Sequence, residues 1–330
     1  MEWRCGQWNC TAYVRFCRSS GSVIGDVRKI DGITGMCRFV FYRGAPIRLS
    51  SLLTEPAHSI IHQSYHSKER AEPLNGDGFG VAWYAPDETE IPTIYKDVTP
   101  AWSNQNLSSL ARVVRSPCIV AHIRAASPGM PVSQLNCHPF SWGRFAFAHN
   151  GEVGGFEAIR RRIQSELSDP AFDLLKGSTD SEHLFALFAS KFDGRAGESK
   201  LEAMALALVE AIATVESIKE ARGIGTSSLL NFVLTDGEAT VITRYASPGE
   251  QEPHSLYLHV GSAYECVDGV CHMRDRSKSG DTVLIASEPI SHDKGWRKVA
   301  ANTMLLIDKD FAVEERPIDI SAVPGSGMHS

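Results

Sequence analysis

The chain of 330 residues has no apolar run long enough to cross a bilayer. Its nearest candidate, Met204–Val209 followed by Ala211–Val215, is broken by Glu210 and reads as a buried helix. Basic residues are not in excess. Lys and Arg number 33 against 39 Asp and Glu, a formal net charge of -6, which argues against nucleic acid or an anionic membrane as the main partner. Cysteine is sparse. The eight cysteines, at 5, 10, 17, 37, 118, 137, 266 and 271, have neither the density nor the spacing of a small disulfide scaffold. No secretory apolar segment precedes them, so a reducing, cytoplasmic setting is expected. Cys266, Cys271 and His272 suggest half of a zinc site, but four residues part the cysteines and no clear second pair exists. Neither metal nor cofactor is expected. The phosphate loop GxxxxGK[ST], the dinucleotide motif GxGxxG and the zinc-protease motif HExxH are all missing, and there is no internal repeat. What remains is an ordinary globular composition, 43% hydrophobic and 22% charged.

Residues 1–35 differ from the rest, with three cysteines, scattered arginines and a Ser-Ser-Gly-Ser patch. They are an over-called start with Met36 as the true initiator, a propeptide cut before Cys37, or a weak organelle presequence. The first is preferred. The expected domains are therefore an extension over 1–36 that is absent or removed in the mature protein, a folded domain over 37–320 and a loose tail over 321–330.

From Met36 onward the pattern is strands, then helices, then strands. Short β-rich runs at Cys37–Arg43, Gly78–Ala85, Cys118–Arg124 and Arg144–His149 precede helical periods at Gly154–Leu167, Ser181–Phe192 and Leu201–Glu220. Strands return at Leu229–Thr235, Ala239–Tyr245, Ser255–Val260, Thr282–Ala286 and Met304–Ile307. Ser247–Pro253 and Arg274–Gly280 read as loops. This order predicts an α+β domain of two sheets covered by helices.

Five segments carry chemistry. Cys37 follows Met36, and removal of Met36 would put a thiol and a free α-amine on one residue. Their ordinary pKa values, near 8.5 and 7.7–8.0, let the amine take the thiol proton near neutral pH. Taken alone, such a cysteine is more often a buried core residue. Asn75-Gly76-Asp77-Gly78-Phe79-Gly80 is a tight turn, or a place where backbone approaches a ligand. His122-Ile123-Arg124-Ala125-Ala126-Ser127 ends an apolar strand, with His122 and Arg124 on one face. That pair is solvent-exposed, or it holds an arginine poised to fork onto a carboxylate. His149-Asn150-Gly151 is a turn, or an oxyanion hole made by the Asn amide and the Gly N–H. Thr179-Asp180-Ser181-Glu182 is a helix cap, to which the functional alternative adds an acid for a ligand ammonium. Together they form the set needed to attack the side-chain carbonyl of a free α-amino acid.

In this order the segments resemble the class II glutamine amidotransferases of the N-terminal-nucleophile hydrolase fold, over about Met36 to Asp310. Ser287-Glu288-Pro289 resembles that family too. The resemblance implies a four-layer αββα fold and assigns roles. Cys37 is the nucleophile, Arg124 binds the substrate α-carboxylate and Asp180 its α-amine. Asn150 and Gly151 form the oxyanion hole. Gly78 lies near the backbone that approaches the substrate, and His122 joins the substrate-binding set. A narrower resemblance lies in Pro46-Ile47-Arg48-Leu49-Ser50 and in Leu53–Ile61, which are similar to the amidotransferase-like subunit of the fungal DUG glutathione-degradation complex. It implies glutathione as substrate and a metallopeptidase-like protein partner. The expected activity is thus γ-glutamyl amide hydrolysis by an N-terminal cysteine, cleaving glutathione to glutamate and Cys-Gly as part of a complex, with glutamine or another γ-glutamyl amide as the other candidate substrates. A glutaminase subunit feeding a separate synthase, and a non-catalytic scaffold with residue 37 internal, are the alternatives.

Overall fold

Strand β1 (Arg38–Arg48) shows how the core is divided. Phe39 and Phe41 point to one face and Val40 and Tyr42 to the other, and all four are at most 1% exposed. A strand buried on both faces reads as a continuous apolar run, not an alternating one. The structure is a computed structural model that describes residues 37–67, 74–126, 131–193, 195, 198–249, 251–267, 269–274 and 281–321.

Its strands are β1, β2 (Phe79–Ala85), β3 (Thr89–Asp97), β4 (Arg115–Ile123), β5 (Phe140–Trp142), β6 (Phe145–Glu152), β7 (Leu229–Thr235) and β8 (Thr240–Ala246). There follow β9 (Tyr257–Gly261), β10 (Ala263–Val267), β11 (Val270–Arg274), β12 (Thr282–Ala286), β13 (Arg297–Lys298), β14 (Thr303–Ile307) and β15 (Val313–Pro317). The helices are α1 (Ser50–Leu53), α2 (Ile60–Gln63), α3 (Gln105–Val113), α4 (Phe156–Ser165), α5 (Asp169–Phe172), α6 (Asp180–Phe192) and α7 (Lys200–Ala221). One antiparallel sheet runs β13-β9-β12-β1-β4-β2-β3 and a second runs β15-β14-β8-β7-β6-β5.

Three apolar layers hold these together. Phe39, Phe41 and Val120 of the first sheet meet Val233, Ile242 and Leu305 of the second. Val40, Tyr42 and Leu284 pack outward on Leu52, Ile60 and Leu107 from α1 to α3. Phe147, Phe232 and Leu234 pack outward on Ile159, Phe185 and Leu208 from α4, α6 and α7. The result is the expected αββα stack. Met204 to Val215 lie in α7, largely buried, and no helix among the described residues is long and apolar enough to cross a membrane.

Every strand and helix expected from the sequence is present. The strands not foreseen are chiefly edges. β3 carries Pro92 and ends the first sheet, and β15 (Val-Glu-Glu-Arg-Pro) ends the second. Proline and charge are what an edge strand tolerates and a central one does not. The expected 1–36 extension, the tail beyond Ser321 and the loop from Asp275 to Gly280 lie outside the described residues.

One reading of the cysteines needs correction. Cys266 and Cys271 are not half of a zinc site but form a disulfide between cross-strand partners of the β10–β11 hairpin. The sequence between them contains Asp268-Gly269, a hairpin signal. Glu55 is the third donor near the two sulfurs, but the S–S bond uses the thiolates a zinc ion would need. His272 follows on the other face of the strand.

Candidate active site

Cys37 stands just ahead of β1, half-buried. Antiparallel pairing sets Arg38 opposite Ile123 and Phe39 opposite His122, which brings residue 37 to the end of β4. There the Ala125 N–H donates to the Cys37 Sγ at 3.4 Å, and the thiol points back to the Ala125 carbonyl at 3.5 Å.

Arg124 is the neighbour of that contact. It is 4% exposed, and among the described residues its guanidinium reaches only carbonyl oxygens, those of Pro131 at 3.4 Å and Asp77 at 3.5 Å. It has no carboxylate partner among the described residues. A buried cation held only by long contacts is matched to an incoming anion. The Gly-rich turn supports it from below. The Arg124 N–H donates to the Gly78 carbonyl at 2.9 Å, and the Asp77 carboxylate accepts the Ala126 N–H at 2.8 Å. Gly78 has φ +111°, and a Cβ there would sit 2.7 Å from the Cys137 sulfur. Only glycine fits.

Asn150 and Gly151 come from the facing sheet. They are not a turn: β6 continues through them to Glu152, paired with Asn231 and Leu230 of β7. Asn150 is 1% exposed, and its Nδ2 donates to the Ser287 Oγ at 3.3 Å. The same Ser287 oxygen accepts the Phe39 N–H at 3.1 Å. Ser287 thus ties the Asn150 amide to the strand that begins at the thiol. The amide has two N–H groups, and this bond uses one of them. Gly151 has φ +150°, and a Cβ there would overlap the Leu229 carbonyl oxygen.

Asp180 opens α6. Thr179 caps the helix by accepting the Glu182 N–H at 3.2 Å, so the capping role is real. Asp180 takes the Ser181 N–H on one carboxylate oxygen and, at 2.8 Å, the Val153 N–H on the other. Val153 lies just past β6, so the acid is tied to the Asn150 segment.

His122 shares the inward face with Arg124 but lies deeper, 1% exposed, and donates through Nε2 to the His149 carbonyl at 3.1 Å. Burial pushes its pKa down to about 3. Burial also lowers His149, against the opposing pull of Asp180, and takes His138 well below the usual histidine range. All three are neutral at pH 7, so none offers a cationic partner. Sequence reasoning assigned no role to Ser287, Asp77 or His138. Ser287 and Asp77 were visible only as members of the Ser-Glu-Pro and Gly-rich segments.

The profile of the family described as "Glutamine amidotransferases class-II" matches residues 54–318. The chain belongs to the class II glutamine amidotransferases. It is 40% identical over 306 residues to the Saccharomyces cerevisiae protein "Probable glutamine amidotransferase DUG3", covering 86% of this chain and 85% of that one. It is 35% identical over 119 residues to a Mycobacterium tuberculosis "Gamma-glutamyl-hercynylcysteine sulfoxide hydrolase", covering 36% of this chain and 50% of that one. The solved structure of a class II domain protein from Silicibacter pomeroyi superposes with a TM-score of 0.59 at 30% identity, over 86% of this chain and all of that one.

Proposed function

We propose that this amidotransferase hydrolyses the γ-glutamyl amide of glutathione or a similar thiol peptide, through a thioester on Cys37. The observation that carries the proposal is Arg124, a buried guanidinium without a carboxylate partner among the described residues, one residue from the atoms that touch the Cys37 sulfur. In this mechanism the chain acts with Cys37 at its N-terminus. The α-amine takes the thiol proton, and the sulfur attacks the γ-carbonyl carbon. The Asn150 amide and the Gly151 N–H hold the oxyanion. The protonated amine then gives its proton to the departing nitrogen, and water opens the thioester. Arg124 and Asp180 grip the α-carboxylate and α-amine of the glutamyl head. Gly78 keeps backbone close to that head, and His122 braces the end of β6 from below.

The head clamp serves glutamine and glutathione alike. Preference for glutathione is supported by the likeness to the yeast protein and by a second relative whose name specifies a γ-glutamyl amide of a sulfur compound. A peptidase-like partner in the cytoplasm completes the proposal. The test uses Cys37-initiated protein, with and without cell extract, incubated with glutathione or glutamine while released glutamate is measured. Glutathione should give the higher kcat/KM, and Cys37→Ser should abolish turnover. A higher kcat/KM for glutamine, with ammonia passed to a co-purifying synthase, would overturn the substrate assignment.

A further inference from the structure

We propose that Glu288 is a positioning residue for the nucleophile, acting through Arg38. The proposal rests on the reading of Cys37 as the nucleophile and explains how its place is held. In the proposed mechanism the α-amine is the base, so the thiol stands at a chain terminus, and termini fray unless they are tied down. An error of about 1 Å in a reacting group lowers rate by about 100-fold.

Two neighbouring residues just past β12 tie this end down from opposite faces. Ser287 points inward and holds the backbone of Phe39 on both sides, as acceptor from its N–H at 3.1 Å and, through its own N–H, as donor to its carbonyl at 3.1 Å. Glu288 points outward under α1 and α2, 1% exposed. Its Oε1 receives the Arg38 guanidinium and the Ser67 hydroxyl, each at 2.6 Å, and its Oε2 meets His58 Nε2 at 3.1 Å. Arg38 also donates to Ser67 at 2.6 Å and reaches back to the Cys37 carbonyl at 3.5 Å. Gln63 closes the assembly from α2, donating to the backbone carbonyls of His58 and Glu288.

A buried ion pair is weak evidence for stability, because desolvation offsets much of the attraction. Its location is what matters here. Arg38 is covalently next to the nucleophile, so the pair fixes the start of β1. His58 lies in the Leu53–Ile61 segment that set the narrower resemblance apart, and in the structure that segment walls in Glu288.

The test uses Cys37-initiated protein carrying Glu288→Gln, Arg38→Met, or Arg38→Met with Glu288→Leu. Glutamate release gives kcat and KM, amide hydrogen exchange reports the start of β1, and thermal melts report the fold. Glu288→Gln should lower kcat by about 100-fold and leave KM within twofold, since the head clamp is untouched. Exchange at Phe39 and Val40 should rise while Val120 and Phe147 stay protected. The double variant, which removes both charges of the Arg38–Glu288 pair, should regain thermal stability without regaining kcat. If kcat returns with stability, or if exchange at Phe39 and Val40 is unchanged in the folded variants, Glu288 is only a structural partner and the proposal fails. The exchange arm needs no substrate. A wild-type protein inactive on both substrates would refute the functional assignment, while exchange would still decide the role of Glu288.

Discussion

Ser287→Ala removes one oxygen from the junction between the two halves of the site. That hydroxyl accepts from the Phe39 N–H at 3.1 Å and from the Asn150 amide at 3.3 Å, and donates to the Phe39 carbonyl at 3.4 Å. Ser287, Phe39 and Asn150 are each 1% exposed, so water cannot replace it. A buried donor left without a partner destabilises by about 1–3 kcal/mol. The Phe39 N–H cannot move, whereas the Asn150 amide can rotate, so a stability loss of about 2–3 kcal/mol is expected. The kinetic effect is bounded by the loss of an oxyanion donor, about 100–1,000-fold in kcat. Asn150 is still present in Ser287→Ala but no longer aimed, which places the expected fall at roughly 10–100-fold, with KM little changed. Asn150→Ala should show the full loss. The double variant should be no slower than Asn150→Ala alone, because the first change acts through the second. Steady-state glutamate release and thermal melts on the four proteins complete the cycle. A double variant that falls by the product of the two single effects would refute the coupling and locate the action of Ser287 on β1 alone. Unchanged kcat in folded Ser287→Ala would refute any catalytic bearing.

Arg124→Lys and Asp180→Asn should each raise KM at least about tenfold for glutamine and glutathione alike, since lysine cannot reproduce the planar fork; normal KM in both would show that they are structural. Gly151→Ala should leave little folded protein, because the new methyl overlaps the Leu229 carbonyl on the paired strand and φ is +150°; a melting temperature equal to wild type would contradict that register. Stability should be level above about pH 7 and fall as pH drops below about 6.5. His122 refuses a proton down to about pH 3 when folded but accepts one near 6.5 when unfolded. The unfolded state thus binds more protons in that window, and His122 alone removes up to about 1.4 kcal/mol per pH unit. Buried His138 and His149 act with the same sign. Urea melts at pH 7, 6 and 5 that give one midpoint would show that these histidines are not buried neutral.

The fold was legible where burial is two-sided. Phe39–Tyr42 of β1 and most of β7 and β8 are apolar because both faces are covered, and α7 is apolar nearly all round for the same reason. Legibility fell at the edges. Strand β3 contains a proline and β15 three consecutive charges, features that argue against a strand unless one side is known to face solvent. That knowledge belongs to the sheet order, which local pattern does not contain. The disulfide escaped for a related reason. A C-x4-C spacing says nothing until the hairpin makes its two ends cross-strand partners.

At the site, the chemistry was written in short motifs and the mechanics were not. Glycine at 78 and 151, arginine at 124 and the acid at 180 each mark a local backbone or charge requirement, so each left a trace in its own segment. What holds them in register joins distant segments: Ser287 to Asn150 is a separation of 137 residues, and Ser287 to Phe39 one of 248. Serine and glutamate in those places look no different from surface residues. Their burial is the signal, since a serine or glutamate 1% exposed must be bonded to something. The bland and functional readings of Thr179-Asp180 do not exclude each other. Thr179 caps α6 and the same turn presents Asp180, so one helix start both satisfies its backbone and delivers an acid beside β6. A site built on strand and helix ends obtains its precision from bonds the fold must make anyway.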